Sequence, residues 1–204
     1  MDMQVVIIDC GSGLCKAGVA SNDYPTLTND TVVGYENKSH ITGVSDKRYY
    51  GQEALEQKMI QLSFPINHGI IEDFNKMEEY LTYIFSRLPV KPEESVILLT
   101  ETLSNRKVNR EKITEIIFEK FGFYLAKDAI LTLLGTERTT GIVLHSRHGV
   151  KYSVTVNEGN VAPNTLRQMD IAGGRDAPVP VLTGELGPSR TGYPIRLGTE
   201  SFDL

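Results

Sequence analysis

The chain has 204 residues, of which 40% are hydrophobic and 23% charged, and this composition is typical of a soluble globular protein. Its formal charge is −5, from 21 Lys and Arg against 26 Asp and Glu. Nucleic acids and anionic membranes require clustered basic residues, so we expect neither as a direct partner. The first nine residues carry no basic segment and only a short apolar run, which argues against a signal peptide and favours the cytosol or nucleus.

The first half of the chain alternates predicted strands and helices. β-branched and apolar runs predict the strands, whereas apolar residues recurring every three or four positions predict the helices. The run at 95–100 reads as a fully buried strand, and Ser104 or Asn105 reads as the N-cap of the last helix. The predicted elements are strands at 4–9, 14–19 and 95–100, and helices at 51–61, 73–88 and 104–121. This alternation indicates an α/β fold.

The remaining segments are less regular. Residues 35–50 are polar and predict a small, exposed, loop-rich insertion. A short helix is predicted at 129–134, followed by strands at 141–144 and 150–156. After Ala172, ten of the last 32 residues are Gly or Pro, which predicts an unstructured or loosely packed tail.

One internal similarity links the two halves. Residues 7–14 align without a gap on residues 143–150, and each segment consists of an apolar strand, a polar turn and a second apolar strand. Two matched hairpins predict two matched half-domains.

The two cysteines, Cys10 and Cys15, lie too close together in the chain for a disulfide framework and lack the C-x-x-C spacing of metal or redox pairs. We expect reduced thiols that pack as small hydrophobic side chains.

The turn after the first strand has the chemistry of an anion site. Glycines leave backbone N–H groups accessible, Lys16 supplies a positive charge, and Asp9 lies beside them as a candidate magnesium ligand. A nucleoside triphosphate with Mg²⁺ suits these groups, although the same residues are also common in ordinary hairpin turns. The predicted phosphate-binding residues are Gly11, Ser12, Gly13, Leu14 and Lys16.

Residues 9–18, DCGSGLCKAG, closely resemble the first phosphate-binding hairpin of actin and the actin-related proteins. The resemblance covers about residues 3–176. Further family-like segments follow in order at 50–54, 64–70, 98–101, 109–112, 118–119 and 138–143.

The resemblance implies the actin-like (ribonuclease H-like) ATPase-superfamily fold, in which two related α/β halves hold ATP with Mg²⁺ between them. Residues 1–127 would form a complete first half, with a small outer insertion at about 33–64 that includes the family's filament-contact loop. Residues 128–176 would form a partial second half, and 177–204 a divergent Pro/Gly-rich tail. His68 would occupy the position of the histidine in the family's sensor region.

The second hairpin departs from the family. Where the family has an aspartate followed by Gly-Asp-Gly, this chain has His145 and then residues 147–149, Arg-His-Gly. The family's water-positioning glutamine and histidine are matched by Asp128 and Tyr152, so we predict no catalytic residue and argue against ATP hydrolysis. We interpret Asp128 as a helix-start residue and His145 with His148 as turn residues rather than as a metal pair.

These observations predict a cytoskeletal or complex-associated binding subunit, cytoplasmic or also nuclear, with weak or lost nucleotide binding. Its partners would be actin, actin-related or actin-binding proteins. Two alternatives stay open: an ATP-hydrolysing protein that joins filaments, and a truncated non-functional isoform. We further expect no filaments of this chain alone, and an uncovered apolar sheet face that carries Ile142, Leu144, Val154 and Val156.

Overall fold

The computed structural model describes residues 3–36, 47–91, 94–118, 122–146 and 150–169. The chain divides into two compact units, Met1–Ala126 and Lys127–Leu204. The strands of the first unit are β1 Gln4–Cys10, β2 Leu14–Val19, β3 Leu27–Asp30, β4 Val33–Glu36, β5 Arg48–Tyr50, β6 Ile60–Ser63, β7 Ile66–Asn67, β8 Ile70–Ile71, β9 Ser95–Glu101 and β10 Gly122–Lys127, whose last residue begins the second unit. Its helices are α1 Gln52–Glu56, α2 Phe74–Arg87 and α3 Lys107–Phe118.

The second unit contains α4 Asp128–Leu134 and the strands β11 Gly141–Ser146, β12 Lys151–Asn157, β13 Asn160–Val161 and β14 Arg167–Met169. The predicted α/β class is therefore confirmed, as are the two strands of each predicted hairpin. Within the described residues, none of the helices has both the length and the apolar character needed to cross a bilayer.

The main sheet of the first unit has the strand order β10-β9-β1-β2-β3. β1 pairs antiparallel with β2 through a tight turn and parallel with β9, whose register places Ile8 beside Leu99. Parallel pairing requires a crossover, and the helix α2 lies in the connection between β1 and β9. This topology places the first hairpin beside the carboxyl end of β9.

One face of the main sheet is covered by α2 and α3. The buried cluster joins Val6, Ile8 and Ile97 of the sheet to apolar side chains of both helices, among them Ile84 and Ile117. Burial alternates along β9, so the prediction of a fully buried strand was wrong. A strand that is covered on one face buries every second side chain.

The outer segment of the first unit forms a small sheet with the order β5-β4-β6. Tyr49 is buried together with Val32 and Ala54, so the prediction of an exposed loop was wrong for this part of the insertion. Residues 37–46 lie outside the described residues. Gly51 leads into α1 with a φ of 62°, and a side chain at this position would overlap Asn29.

A charged and aromatic cluster connects the small sheet to α2. The Glu79 carboxylate accepts hydrogen bonds from Arg48 Nε at 2.9 Å and from the Tyr50 hydroxyl at 3.0 Å. The Tyr50 ring stacks on Tyr83 with ring centroids 4.4 Å apart. Lys76 Nζ lies 3.4 Å from the same carboxylate. These contacts hold the outer sheet against the helix.

The predicted helices exist, but their bounds differ. Asp73 caps α2 by accepting a hydrogen bond from the Lys76 backbone N–H at 3.0 Å, and Leu88 follows the last turn. The helix predicted at 51–61 ends at Glu56, because the chain continues into β6. α3 starts at Lys107, so neither Ser104 nor Asn105 is its N-cap.

The two cysteines are buried as expected, but the expectation of reduced thiols was wrong for this structure. Cys10 and Cys15 face each other across β1 and β2 and are joined by a disulfide. The hairpin makes residues five positions apart in the chain direct neighbours, which sequence spacing by itself does not show.

In the second unit, β11 pairs with β12, and α4 covers one face of the sheet. The register pairs Val143 with Val154, whereas Leu144 lies opposite Ser153. Val154 and Val156 are buried and Leu144 is 41% exposed, so the predicted single apolar face was wrong. Its four residues lie on opposite faces because side chains alternate along each strand.

Candidate functional site

The first hairpin presents Asp9 at the end of β1. The Thr100 hydroxyl, at the end of the parallel strand β9, donates a hydrogen bond to Asp9 Oδ1. Lys16 is the direct cross-strand partner of Asp9 in the β1–β2 ladder. Asp9 and Lys16 thus occupy neighbouring positions of the sheet, and their role in binding an anion and a metal stays a prediction.

The end of β9 is fixed by an ion pair with α3. Glu101 is 9% exposed, and its carboxylate accepts a hydrogen bond from Arg110 Nε at 3.0 Å, while Arg110 Nη2 forms an ion pair with its other oxygen at 2.9 Å. Asn105 Nδ2 donates a second hydrogen bond to the same carboxylate at 3.0 Å. This two-point geometry fixes the end of β9, which carries Thr100, relative to α3.

The tip of the first hairpin is tied to two other segments. The Gly11 N–H closes the turn by donating to the Leu14 carbonyl at 2.8 Å. Ser12 Oγ accepts a hydrogen bond from the Gly69 N–H at 2.8 Å, and the Gly13 carbonyl accepts one from the Thr31 N–H at 2.9 Å. The predicted phosphate-binding residues therefore form one compact tip, within which the Gly11 amide is already used.

His68 lies in the turn between β7 and β8, next to Gly69, and has a φ of 49°. The Gly69 amide connects this turn to Ser12 of the hairpin. His68 thus adjoins the hairpin contact through its neighbour in the chain.

The second hairpin carries a different arrangement at its first strand. His145 Nε2 lies 2.7 Å from Thr132 Oγ1, and His145 Nδ1 lies 2.9 Å from the Tyr152 hydroxyl. Thr132 donates its own hydrogen to the Asp128 carbonyl at 3.0 Å, so its oxygen is available to accept from Nε2–H. In the neutral imidazole, Nδ1 then accepts from Tyr152. Both ring nitrogens are therefore occupied by protein groups.

Asp128 lies behind this histidine. It is the first residue of α4, 3% exposed, with its Oδ2 atom 3.9 Å from His145 Nδ1. Its other carboxylate oxygen accepts a hydrogen bond from the Ala129 N–H at 2.7 Å. The interpretation of Asp128 as a helix-start residue agrees with this position. The structure also groups it with His145 and Tyr152, two further positions that we interpret as departures from the family.

Sequence reasoning identified these three substitutions but missed the groups that hold them. Nothing in the sequence indicated that Thr132 contacts His145, because a threonine within a predicted helix usually has only a structural role. Thr100 and Gly69 were part of family-like segments, yet their contacts with the hairpin depend on the sheet order. Residues 147–149, including the predicted turn residue His148, lie outside the described residues.

The sequence of the chain matches a known protein family. A family model described as Actin matches residues 1–175, which is most of the chain. The matched region includes both hairpins and the strands and helices of the described residues. The chain therefore belongs to the actin family.

Proposed function

We propose that this chain is a non-catalytic member of the actin family that acts by binding other proteins, as a subunit of the cytoskeleton or of a complex. Its partners would be actin, actin-related or actin-binding proteins in the cytoplasm or nucleus. Nucleotide binding is weak or lost, and ATP hydrolysis is absent.

The observation that supports this proposal most strongly is the network around His145. In the family, this position of the second hairpin carries an aspartate on the metal side of the nucleotide. Here an imidazole replaces it, and hydrogen bonds to Thr132 and Tyr152 occupy both of its nitrogens. These two hydrogen bonds hold the imidazole in place, so a ligand would have to displace one of them to reach His145.

The family's cofactor, ATP with Mg²⁺, fits the first hairpin better than the second. Asp9 and Lys16 supply an oxygen ligand and a phosphate partner of the right chemistry. Mg²⁺ prefers oxygen ligands, which the His145 imidazole does not offer. Asp128 does not restore the missing carboxylate, because it is 3% exposed and packed behind the histidine. The second hairpin therefore does not fit the cofactor, and we derive no hydrolysis step.

The proposal is tested by measuring phosphate release from ATP with the purified chain and with the variant Lys16→Ala. We expect the two proteins to give the same rate as buffer with Mg²⁺, because neither assembles a water-activating site. Phosphate release by the parent protein that Lys16→Ala removes would contradict the proposal.

The first hairpin resembles the phosphate-binding hairpin of the family, and this favours a second candidate function, that of an ATP-binding protein that joins filaments. In that case the chain should pellet with salt and Mg²⁺-ATP as ordered polymers, whereas the proposed binding subunit should stay in the supernatant. Pelleting together with preformed actin filaments, without polymers of its own, would support the proposed function.

A further inference from the structure

We propose that Cys10 and Cys15 form a reversible thiol–disulfide switch that fastens the tip of the first hairpin. They are the two cysteines of the chain, and the structure joins them covalently. Their Cα atoms are 4.0 Å apart. Control of the hairpin by this pair does not depend on whether the hairpin binds a nucleotide.

The register of the hairpin explains why the two thiols meet. The Gly11 N–H donates to the Leu14 carbonyl, and the Ala20 N–H donates to the Val5 carbonyl. In an antiparallel ladder, hydrogen-bonded and non-hydrogen-bonded pairs alternate, so the pair Cys10–Cys15 belongs to the non-hydrogen-bonded type. Side chains of such pairs are the closest in a sheet. The backbone therefore brings the thiols together in the reduced form as well.

The bond encloses the four residues of the hairpin tip. Ser12 at this tip accepts a hydrogen bond from Gly69, and Gly13 accepts one from Thr31. Separation of β1 and β2 at the tip would break both contacts. A covalent link between Cys10 and Cys15 prevents this separation, so oxidation should hold three segments of the first unit together.

The oxidant we propose is a small disulfide of the glutathione class. Cys10 is 9% exposed and Cys15 is fully buried, so exchange should begin at Cys10. The Cys10 thiolate attacks the small disulfide, which forms a mixed disulfide and releases one small thiolate. The Cys15 thiolate then attacks the Cys10 sulfur and releases the second. Two protein thiols are oxidised, one small disulfide is reduced to two thiols, and the two protein protons pass to the released thiolates.

The first test counts free thiols in the full chain. The protein is equilibrated in buffers that differ in the ratio of reduced to oxidised glutathione. Thiol exchange is stopped with acid, the free thiols are alkylated, and the mass of the protein is measured by mass spectrometry. Because the chain has two cysteines, the number of alkyl groups reports this pair alone. We expect one transition, from two alkyl groups to none. A persistent glutathione adduct, a disulfide-linked dimer, or two alkyl groups in every buffer would overturn the proposal.

The second test measures hydrogen exchange of the Thr31 and Gly69 amides in the oxidised and the reduced protein. We expect roughly tenfold slower exchange after oxidation, because closing a short loop restricts local opening. The Ala162 amide, which bonds to the Thr155 carbonyl in the other unit, is the internal control and should not change. In Cys15→Ala the difference between the two buffers should vanish. Equal exchange of the Thr31 and Gly69 amides in the two forms of the parent protein would show that the bond does not control the tip.

Discussion

Three of the residues that we interpret as departures from the family form one group of contacts in the second unit. Asp128, His145 and Tyr152 are brought together with Thr132; Asp128 and Tyr152 are buried, whereas Thr132 is exposed. Hydrogen bonds within this group occupy both nitrogens of the His145 imidazole, which supports the proposal that the second hairpin does not hold a nucleotide.

The hydroxyl of Tyr152 can be tested by itself. Tyr152 is 2% exposed, and its hydroxyl lies 2.9 Å from His145 Nδ1. The variant Tyr152→Phe keeps the ring and removes this hydrogen bond, so we expect a loss of about 0.5–1.5 kcal/mol in the free energy of unfolding. Urea denaturation of the parent and the variant measures this difference in the free energy of unfolding. Tyr124→Phe, at a position that is 63% exposed, is the matched control and should leave the midpoint unchanged.

The cluster around Glu79 predicts a pH dependence in the alkaline range. Burial first, and then the hydrogen bond and the negative charge of Glu79, raise the pKa of Tyr50 to about 12. A raised pKa in the folded state means that the neutral phenol stabilises the fold fully below its ordinary pKa of 10. This contribution is then lost as the pH rises from 10 to 12.

We therefore expect the urea midpoint of the parent protein to fall more steeply between pH 10 and 12 than that of Tyr50→Phe. Tyr24→Phe, at a position that is 82% exposed, should keep the slope of the parent. Equal slopes for the parent and Tyr50→Phe would contradict the prediction, because they would show that folding does not raise the pKa of Tyr50.

At the scale of elements, the helix α2 carries both the core and the contacts with the outer sheet. Its start depends on Asp73, which accepts a hydrogen bond from the Lys76 N–H. Asp73→Ala removes the cap and should cost about 1 kcal/mol of stability, whereas Asp73→Asn should cost much less. Thermal unfolding followed by circular dichroism checks this order. A loss from Asp73→Ala no greater than that from the exposed Asp23→Ala would contradict the capping role.

Local patterns in the sequence were sufficient to predict the elements that depend on local interactions. The strands β1 and β2 and the helix α2 follow directly from apolar periodicity. The burial of Tyr49 was not predictable, since it depends on Val32 and Ala54. The network around His145 joins α4, β11 and β12, so the sequence supplied its unusual residues but not their contacts.

The disulfide between Cys10 and Cys15 was not predicted from the sequence, for a different reason. The turn at Ser12 and Gly13 was recognised, and two central turn residues place Cys10 opposite Cys15 by simple counting along the ladder. The prediction of reduced thiols was wrong because it used the spacing of the cysteines along the chain rather than their register across the hairpin.

At the scale of the whole molecule, the first unit contains its own sheet and core. The buried cluster that joins the sheet to α2 and α3 is drawn entirely from this unit. We expect a fragment of residues 1–126 to unfold cooperatively, with a stability of about 5 kcal/mol or more. Ile84→Asp in the same fragment places a charge in the core and should abolish the transition. A gradual, non-cooperative loss of circular dichroism in the unaltered fragment would contradict an independent first unit.

The central claim is that the altered second hairpin leaves this actin-family chain without a working nucleotide site, and a titration of the full chain with ATP by calorimetry tests it most directly. We expect binding weaker than ~0.1 mM that is the same with and without Mg²⁺, because one hairpin supplies only part of the contacts that tight binding requires. Binding at about 1 µM that needs Mg²⁺ and is abolished by Lys16→Ala would contradict the account, since it would require an intact site despite His145.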